Sequence, residues 1–337
     1  MPRQARLDAP GVLHHVMARG IEKGLIYQDD RDREDFILRL SELALKQAWI
    51  VYAWALMPNH FHLLVRSGKC SLSRNMRVLM SGYAGYFNRR HNRHGHLFQN
   101  RYKSIVCEEE IYFLELVRYL HLNPRRSKIV KDMDDLDSYK YTGHSAIVGT
   151  VERKWQDTDG VLGRFSVKGR PAIRLYREFA AAGIEQGQRP ELMGGGLIRS
   201  CSGWKGVMEL RRGREKFRAD ERVLGSSSFV EEILKEAEMQ EEGKSERVKL
   251  ETLMSRIAED MGISRESMTG SGRNREVARA RAVLAYTWVR YLGRNGHDLA
   301  KALGVTPQAI YASSNRVEAD NVIHSDDLER WCSWHVV

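Results

Sequence analysis

The run "LMPNHFHLLV" at residues 56–65 sets two imidazoles, His60 and His62, on either side of one phenylalanine in an otherwise apolar stretch. Strand side chains alternate between faces, so His60 and His62 share one face while Phe61 points to the other, into a core. Two imidazoles one strand repeat apart can share a divalent metal ion. The plainer reading is two half-exposed strand histidines with no ligand. A second group lies in "EEIYFLELVRYLHLNP" at residues 109–124. Tyr119 and Asn123 are four apart there and share a helix face. Asn123 offers a neutral oxygen ligand, and Tyr119 a phenolic oxygen able to form a covalent ester. Tyr112, one heptad earlier on roughly the same face, is the rival nucleophile, and a helix tyrosine that only packs its ring is the plain alternative to both. Two His, one Asn or water, and substrate oxygens make a mixed N/O set suited to Mg²⁺ or Mn²⁺. Without a thiolate in the set, a structural zinc is not expected.

The elements that position these groups alternate between strand and helix. "VLHHVMARGI" (12–21) reads as a strand, "DREDFILRLSELALKQ" (32–47) as an amphipathic helix, and "WIVYAWALM" (49–57) as a strand. "MPN" is a turn leading to a second strand, "HFHLLVRSG". A helix over 71–92 follows, with Ser71 or Ser73 as N-cap, then a strand over 96–108 and a helix over 109–124 stopped near Pro124. Strand, helix, strand, strand, helix, strand, helix suggests an α+β fold of ferredoxin-like type, an antiparallel sheet with helices.

Beyond residue 137 the pattern weakens and glycines accumulate, as in "MGGGLIRS" and "CSGWKG", with short helical pieces such as 173–183. A charged helix near 229–251 marks a boundary. The last segment is helical: 249–262, then 275–293 ending at Gly293, then "HDLAKALGVTPQAIYASSNRVE" (297–318). In that stretch Leu299, Ala300, Leu303, Val305 and Ile310 fall where a helix-turn-helix needs its core, with Gly304 in the turn. Thr306 would cap the second helix, with Pro307 at its first position. Thr306, Gln308 and Tyr311 are its candidate base-reading residues, with Ser313 and Ser314 further on. The plain reading is a three-helix bundle. The organisation expected is a catalytic domain over 1–136, a connecting region over 137–245, an all-α helix-turn-helix domain over 246–320 and a tail over 321–337.

The 337 residues carry a net charge of +10, which favours a polyanionic partner, nucleic acid above all. Basic residues cluster close to the candidate site in sequence. Arg89, Arg90 and Arg93 lie in "FNRRHNRHGH", Arg101 and Lys103 in "NRYK", and Arg125 and Arg126 in "NPRRSK", interleaved with Tyr and Phe. That composition suits phosphate contact and base stacking on an unpaired strand. The four cysteines are far apart with no C-x-x-C, arguing against a zinc ribbon or a disulfide framework. No signal-peptide core or run of about 18 apolar residues is visible, so a cytoplasmic protein with no membrane partner is expected.

"MPNHFHLLV" and "YLHLNPRR", with "HHVMARG" and "DREDF" upstream in that order, resemble the single-tyrosine HUH transposases of the IS200-like type, particularly REP-associated tyrosine transposases. The resemblance covers residues 1 to about 130. It implies an HUH catalytic fold, metal ligands at His60 and His62, a third ligand at Asn123 where some relatives have Gln, and the nucleophile at Tyr119 rather than Tyr112. It also implies cleavage and rejoining of single-stranded or hairpin DNA through a 5′-phosphotyrosine, and it allows a homodimer. Residues 249–318 resemble the C-terminal duplex-binding domain of the replication initiator DnaA, although "VTPQA" replaces that family's Asp-His-Thr-Thr segment. The expected function is a DNA transposase or nickase. The alternatives are a catalytically silent DNA-binding regulator and a metal-dependent hydrolase that uses water in place of Tyr119.

Overall fold

The computed structural model describes Leu7 and residues 11–68, 71–165, 167–187, 189, 192, 220–245, 249–270, 274–292, 294–320 and 325–332. The glycine-rich stretches at 193–206, the cysteines at 70 and 201, Gly293 and most of the tail lie outside these residues. The chain divides into two compact units, residues 1–239 and 240–337.

In the first unit the elements run β1 (Leu13–Arg19), α1 (Asp30–Leu45), β2 (Trp49–Met57), β3 (His60–Ser67), α2 (Leu72–Arg90), β4 (Lys103–Cys107) and α3 (Glu109–His121). A short strand β5 (Val223–Leu224) completes a five-stranded sheet of order β2-β3-β1-β4-β5. The first four strands pair antiparallel, and β5 joins β4 in parallel. The result is a mixed α+β unit.

Strand alternation divides the sheet chemically. One face carries Val16, Ala18, Phe61, Leu63 and Val65, packed on Phe36 and Leu40 of α1 and on Met76, Leu79, Tyr83 and Phe87 of α2. Each helix begins at a side-chain cap that fixes its entry: Asp29 accepts from the Asp32 amide, and Ser71 from the Arg74 amide. The other face carries Leu13, Leu64, Ile105 and Cys107, packed on Phe113, Leu116, Val117 and Leu120 of α3. His15, His60 and His62 belong to this second face. The register pairs Met17 with His62 and Arg19 with His60, which puts the odd residues of β1 and the even residues of β3 on one side.

Residues 137–165 and 167–182, where the sequence pattern weakens, are largely helical: α4 (Asn123–Arg126) and α5 (Met133–Ser138) lead into α6 (Gly143–Ile147), α7 (Thr158–Leu162) and α8 (Arg170–Ala182). They cover the edge of β2. The Leu56 amide donates to the Tyr141 carbonyl at 3.0 Å and the Asp157 amide to the Val51 carbonyl at 2.9 Å. Gln156 accepts from the Trp54 indole at 2.8 Å and donates to the Tyr52 and Gly143 carbonyls. An otherwise open edge is thereby paired, and β2 is buried at every residue except Ile50.

A chain of buried polar groups ties α3 to this layer. The Tyr176 hydroxyl lies 2.7 Å from His121 Nδ1 and 2.8 Å from His144 Nδ1, and His144 Nε2 lies 2.7 Å from Asp137 Oδ1. Arg177 Nε donates to the other Asp137 oxygen at 2.7 Å. His121, His144 and Tyr176 are fully buried. Gly143 sits against them so closely that a Cβ there would lie 2.7 Å from His121 Nε2. A longer residue cannot fit without moving the ring.

The second unit has its own core, built from α10 (Leu250–Asp260), α11 (Arg265–Thr269), α12 (Arg275–Ala285) with its π-helical continuation Tyr286–Tyr291, α13 (Gly296–Leu303), α14 (Pro307–Asp320) and α15 (Ser325–Cys332). The helix preceding it, α9 (Ser227–Ser245), starts in the first unit. Among the described residues no helix is long and apolar enough to cross a membrane.

Three sequence expectations change. The strand expected over 96–108 is confined to Lys103–Cys107, and the part before it makes only an isolated bridge from Phe98 to Gly20. Positive φ at Asn92 and Gly95 turns the chain there, and "QNR" offers no apolar alternation to extend a ladder. In the C-terminal pair, Leu299, Ala300, Leu303 and Ile310 are buried, but Val305 is 38% exposed. It follows Gly304, whose left-handed φ of 65° turns the chain outward at the end of α13. Ser314, expected on the outer face, is buried and donates to the Tyr311 carbonyl.

Candidate active site

Phe61, between the two histidines, is fully buried under α1 and is the anchor that fixes their register. The rings of His60 and His62 are 5.1 Å apart and nearly perpendicular, at 82°. His62 is 4% exposed, and His60 is half-buried at the strand start.

α3 crosses this face with Tyr119 toward the histidines. The Tyr119 ring centroid lies 6.4 Å from His62 and 6.3 Å from His15, edge-on to both. Tyr112, two turns earlier, borders Glu108 and Cys107 instead, and burial chiefly pushes its phenol up. Arg126, on the helix after α3, folds back so that its guanidinium stands 4.9 Å over the Tyr119 ring and its Nη1 donates to the Tyr119 carbonyl at 2.8 Å. A cation at that distance interacts with the ring face. Burial lowers the Arg126 guanidinium, and Tyr119 works against that.

Asn123 is not on α3 itself. The helix ends at His121, and Asn123 opens α4, where Pro124 can sit because an N-terminal helix position needs no N–H. Asn123 is 9% exposed, and its Nδ2 has no hydrogen-bond partner among the described residues. A buried amide nitrogen left unpaired costs about 1–3 kcal/mol, and exchanging the amide's N and O would present an oxygen there.

Two neighbours of the histidines have contacts that the motifs containing them do not reveal. His15 on β1 stacks on His62 at 5.3 Å, with its Nε2 3.0 Å from His62 Nδ1, and its Nδ1 faces the Leu192 carbonyl at 3.3 Å. Asn59 Oδ1 lies 2.7 Å from His60 Nδ1, and Asn59 Nδ2 donates to the Lys23 carbonyl at 3.0 Å. Alternation within "LHHV" could have put His15 on one face. Its meeting with His62 depends on pairing 47 residues away, which spacing does not reveal.

The imidazoles are neutral at ordinary pH. Burial brings His15 down to about 4, and burial followed by the charge of Arg19 brings His60 to about 4. Burial, then His15 and His60, holds His62 well below its usual value. Among the described residues no group of three or more His, Cys, Asp or Glu is placed to hold a metal. The two neutral imidazoles of His60 and His62 each keep one lone pair, the kind of donor that a divalent ion takes together with substrate oxygens and water.

These lowered values have a stability consequence. In the unfolded chain the histidines titrate near 6.5, so between 6.5 and 4 the unfolded state binds protons that the folded state refuses. The associated stability is present above pH 6.5 and lost as pH falls toward 4, on the order of 3 kcal/mol for fully buried His15 alone. Thermal melts should show a falling midpoint across this window. A flat midpoint from pH 6.5 to 4.5 would contradict it.

The basic residues separate by environment. Arg89 and Arg101 are exposed, as is Lys103, which stands on the histidine face of β4. Arg125, Arg126 and Lys128 line a cavity of about 250 Å³ with Leu122, Ile184 and Gly187. Arg90 is held by Asp29 and Asp32, and Arg93 lies 5.9 Å over the Phe87 ring. In the second unit Thr306 caps α14 through the Ala309 amide, and Thr306, Gln308 and Tyr311 are exposed.

Residues 11–123, about a third of the chain, match the family model described as "Transposase IS200 like". The matched segment includes His15, Asn59, His60, His62, Tyr119 and Asn123. No curated protein matches the chain. A solved structure described as "Structure of the REP associates tyrosine transposase bound to a REP hairpin" aligns at 14% identity, covering 45% of this chain and 89% of its own, with a TM-score of 0.36. At that score the likeness is too weak to place the fold.

Proposed function

We propose that the protein is a DNA transposase or related nickase that cleaves and rejoins single-stranded or hairpin DNA with Tyr119 as nucleophile. The observation that carries this reading is the approach of Tyr119 to His62 within the segment that matches a transposase family. The helix-strand order and the arrangement β2-β3-β1-β4 support a ferredoxin-like HUH core.

In the proposed reaction the Tyr119 oxygen attacks the scissile phosphorus in line. The phosphorus–O3′ bond breaks, the 3′ oxygen leaves and takes up a proton, and the 5′ phosphate stays on Tyr119 as an ester. The ester keeps the energy of the broken bond, so attack by a 3′-hydroxyl reverses the step without ATP. A free phenol titrates near 10. Arg126, stacked over the ring, stabilises the negative phenolate as the proton leaves and fixes the ring's direction. His60 and His62 would hold Mg²⁺ or Mn²⁺, with Asn123 as third ligand. A bound ion polarises the phosphate and offsets its developing charge. Lys103, Arg125 and Lys128 would neutralise flanking phosphates, a role supported by the position of Lys103 on the histidine face and by the cavity that Arg125 and Lys128 line. Arg90 is engaged by the carboxylates of Asp29 and Asp32, so its contact with a phosphate would compete with them.

The test is a denaturing gel of the protein incubated with labelled hairpin DNA and Mg²⁺ or Mn²⁺. A covalent adduct is expected. Cleavage without an adduct means a water-using hydrolase, and binding without cleavage means a silent regulator.

For residues 246–320 the proposal is a helix-turn-helix that reads duplex DNA. It is supported by the turn at Gly304, the cap at Thr306 and the exposure of Gln308 and Tyr311. A chain ending at residue 245 should still cleave hairpin DNA but lose most sequence-selective duplex affinity. Gln308→Ala in the full chain should cost about 1–3 kcal/mol at one base position if its contact is bidentate. Both are measured as duplex binding at fixed salt. Equal duplex affinity and selectivity in the full and shortened chains would remove the DNA-reading role.

A further inference from the structure

His60 and His62 can serve a metal only if each offers a lone pair on the right nitrogen, and a neutral imidazole carries its single proton on either one. Two residues beside the histidine pair decide this. Asn59 Nδ2 donates to the Lys23 carbonyl, which fixes the amide so that Oδ1 faces His60 Nδ1 at 2.7 Å. An amide oxygen can only accept, so the proton of neutral His60 sits on Nδ1. The same logic runs through His15. Its Nδ1 faces the Leu192 carbonyl, which also only accepts, so Nδ1 carries the His15 proton. His15 is fully buried between that carbonyl and a second imidazole, and so is neutral. Its Nε2 is then a lone pair, and His62 Nδ1, 3.0 Å away, must be the donor. Both chains start at a backbone carbonyl and end with a free lone pair on Nε2 of a motif histidine.

We infer that Asn59 and His15 are positioning residues that lock His60 and His62 in the Nδ1–H tautomer, so that both present Nε2 as ligand atoms. The inference rests on the proposed metal site for its purpose but not for its geometry. Partners one step out from a metal ligand commonly change metal affinity 10–100-fold. His15 would act through His62, and Asn59 through His60, with neither touching substrate.

The experiment uses the full chain with ¹⁵N-labelled histidine and two readouts. Long-range ¹H–¹⁵N spectra without metal report the tautomers. Electron paramagnetic resonance of free Mn²⁺, without DNA, reports affinity. The wild type should show both His60 and His62 as Nδ1–H. His15→Leu should release the His62 tautomer and Asn59→Ala that of His60, each weakening Mn²⁺ binding 10–100-fold. His15→Gln should restore both readouts, because its amide can donate to the Leu192 carbonyl and accept from His62. An Nε2–H signal from either motif histidine in the wild type, or an unchanged His62 spectrum in folded His15→Leu, overturns the inference. A wild type that shows the expected tautomers but binds no Mn²⁺ supports the lock and refutes the metal reading instead.

Discussion

Tyr119→Phe should abolish both cleavage and the covalent adduct while leaving hairpin affinity within a few-fold of wild type. The substitution removes only the reacting oxygen. The ring stays, together with its packing on the histidine face and its contact with the Arg126 guanidinium. Removing the nucleophile of a covalent enzyme costs on the order of 10⁶ in kcat, which a gel reads as no product. Tyr112→Phe is the control: its phenol feels Glu108 and Cys107, whereas Tyr119 makes the ring contacts with His15 and His62, so adduct formation should persist. An adduct that survives Tyr119→Phe and disappears in Tyr112→Phe would reverse the assignment.

Alanine at both His60 and His62, or excess EDTA on the wild type, should likewise stop cleavage of single-stranded DNA. Lewis-acid stabilisation supplies several kcal/mol, so its removal should slow the reaction by about three orders of magnitude or more. The two treatments check each other. EDTA leaves every side chain in place, whereas the double substitution truncates one buried and one half-buried ring. Full activity in EDTA would take the metal out of the mechanism. Activity lost only in the double variant, with a lowered melting point, would assign the histidines to packing.

The features legible in the sequence are those written in local periodicity. The alternation His60–Phe61–His62 set the sidedness of β3, and a run of strand-forming residues marked β2. The Tyr119–Asn123 spacing placed both residues at one end of a helix, although the break at Leu122 puts Asn123 in the next helix. The unread features depend on contacts distant in sequence. His15 meets His62 only through strand pairing, and Arg126 reaches Tyr119 only because α4 folds back. The covering of β2 by residues 139–157 has no periodic signature. It is made by single side chains such as Gln156 and by backbone bonds at Tyr141 and Asp157, in the stretches that flank two helices of five residues. The two-residue β5 is too short for any pattern.

The buried link from His121 through Tyr176 and His144 to Asp137 has a consequence for strand transfer. It bolts the helix bearing Tyr119 to α8, α6 and α5, the layer whose neighbouring residues pair with the edge of β2, the strand next to the histidines of β3. Swinging α3 away would strip fully buried polar groups of their partners, at about 1–3 kcal/mol for each one left unsatisfied. For the proposed reaction, the covalently held 5′ end is therefore a fixed post and not a moving arm. Resealing by the original 3′-hydroxyl is the default, because that end is nearest. Net rearrangement then becomes a contest between two 3′ ends for one stationary phosphate, and its direction is set by how the DNA is folded and held beside the enzyme.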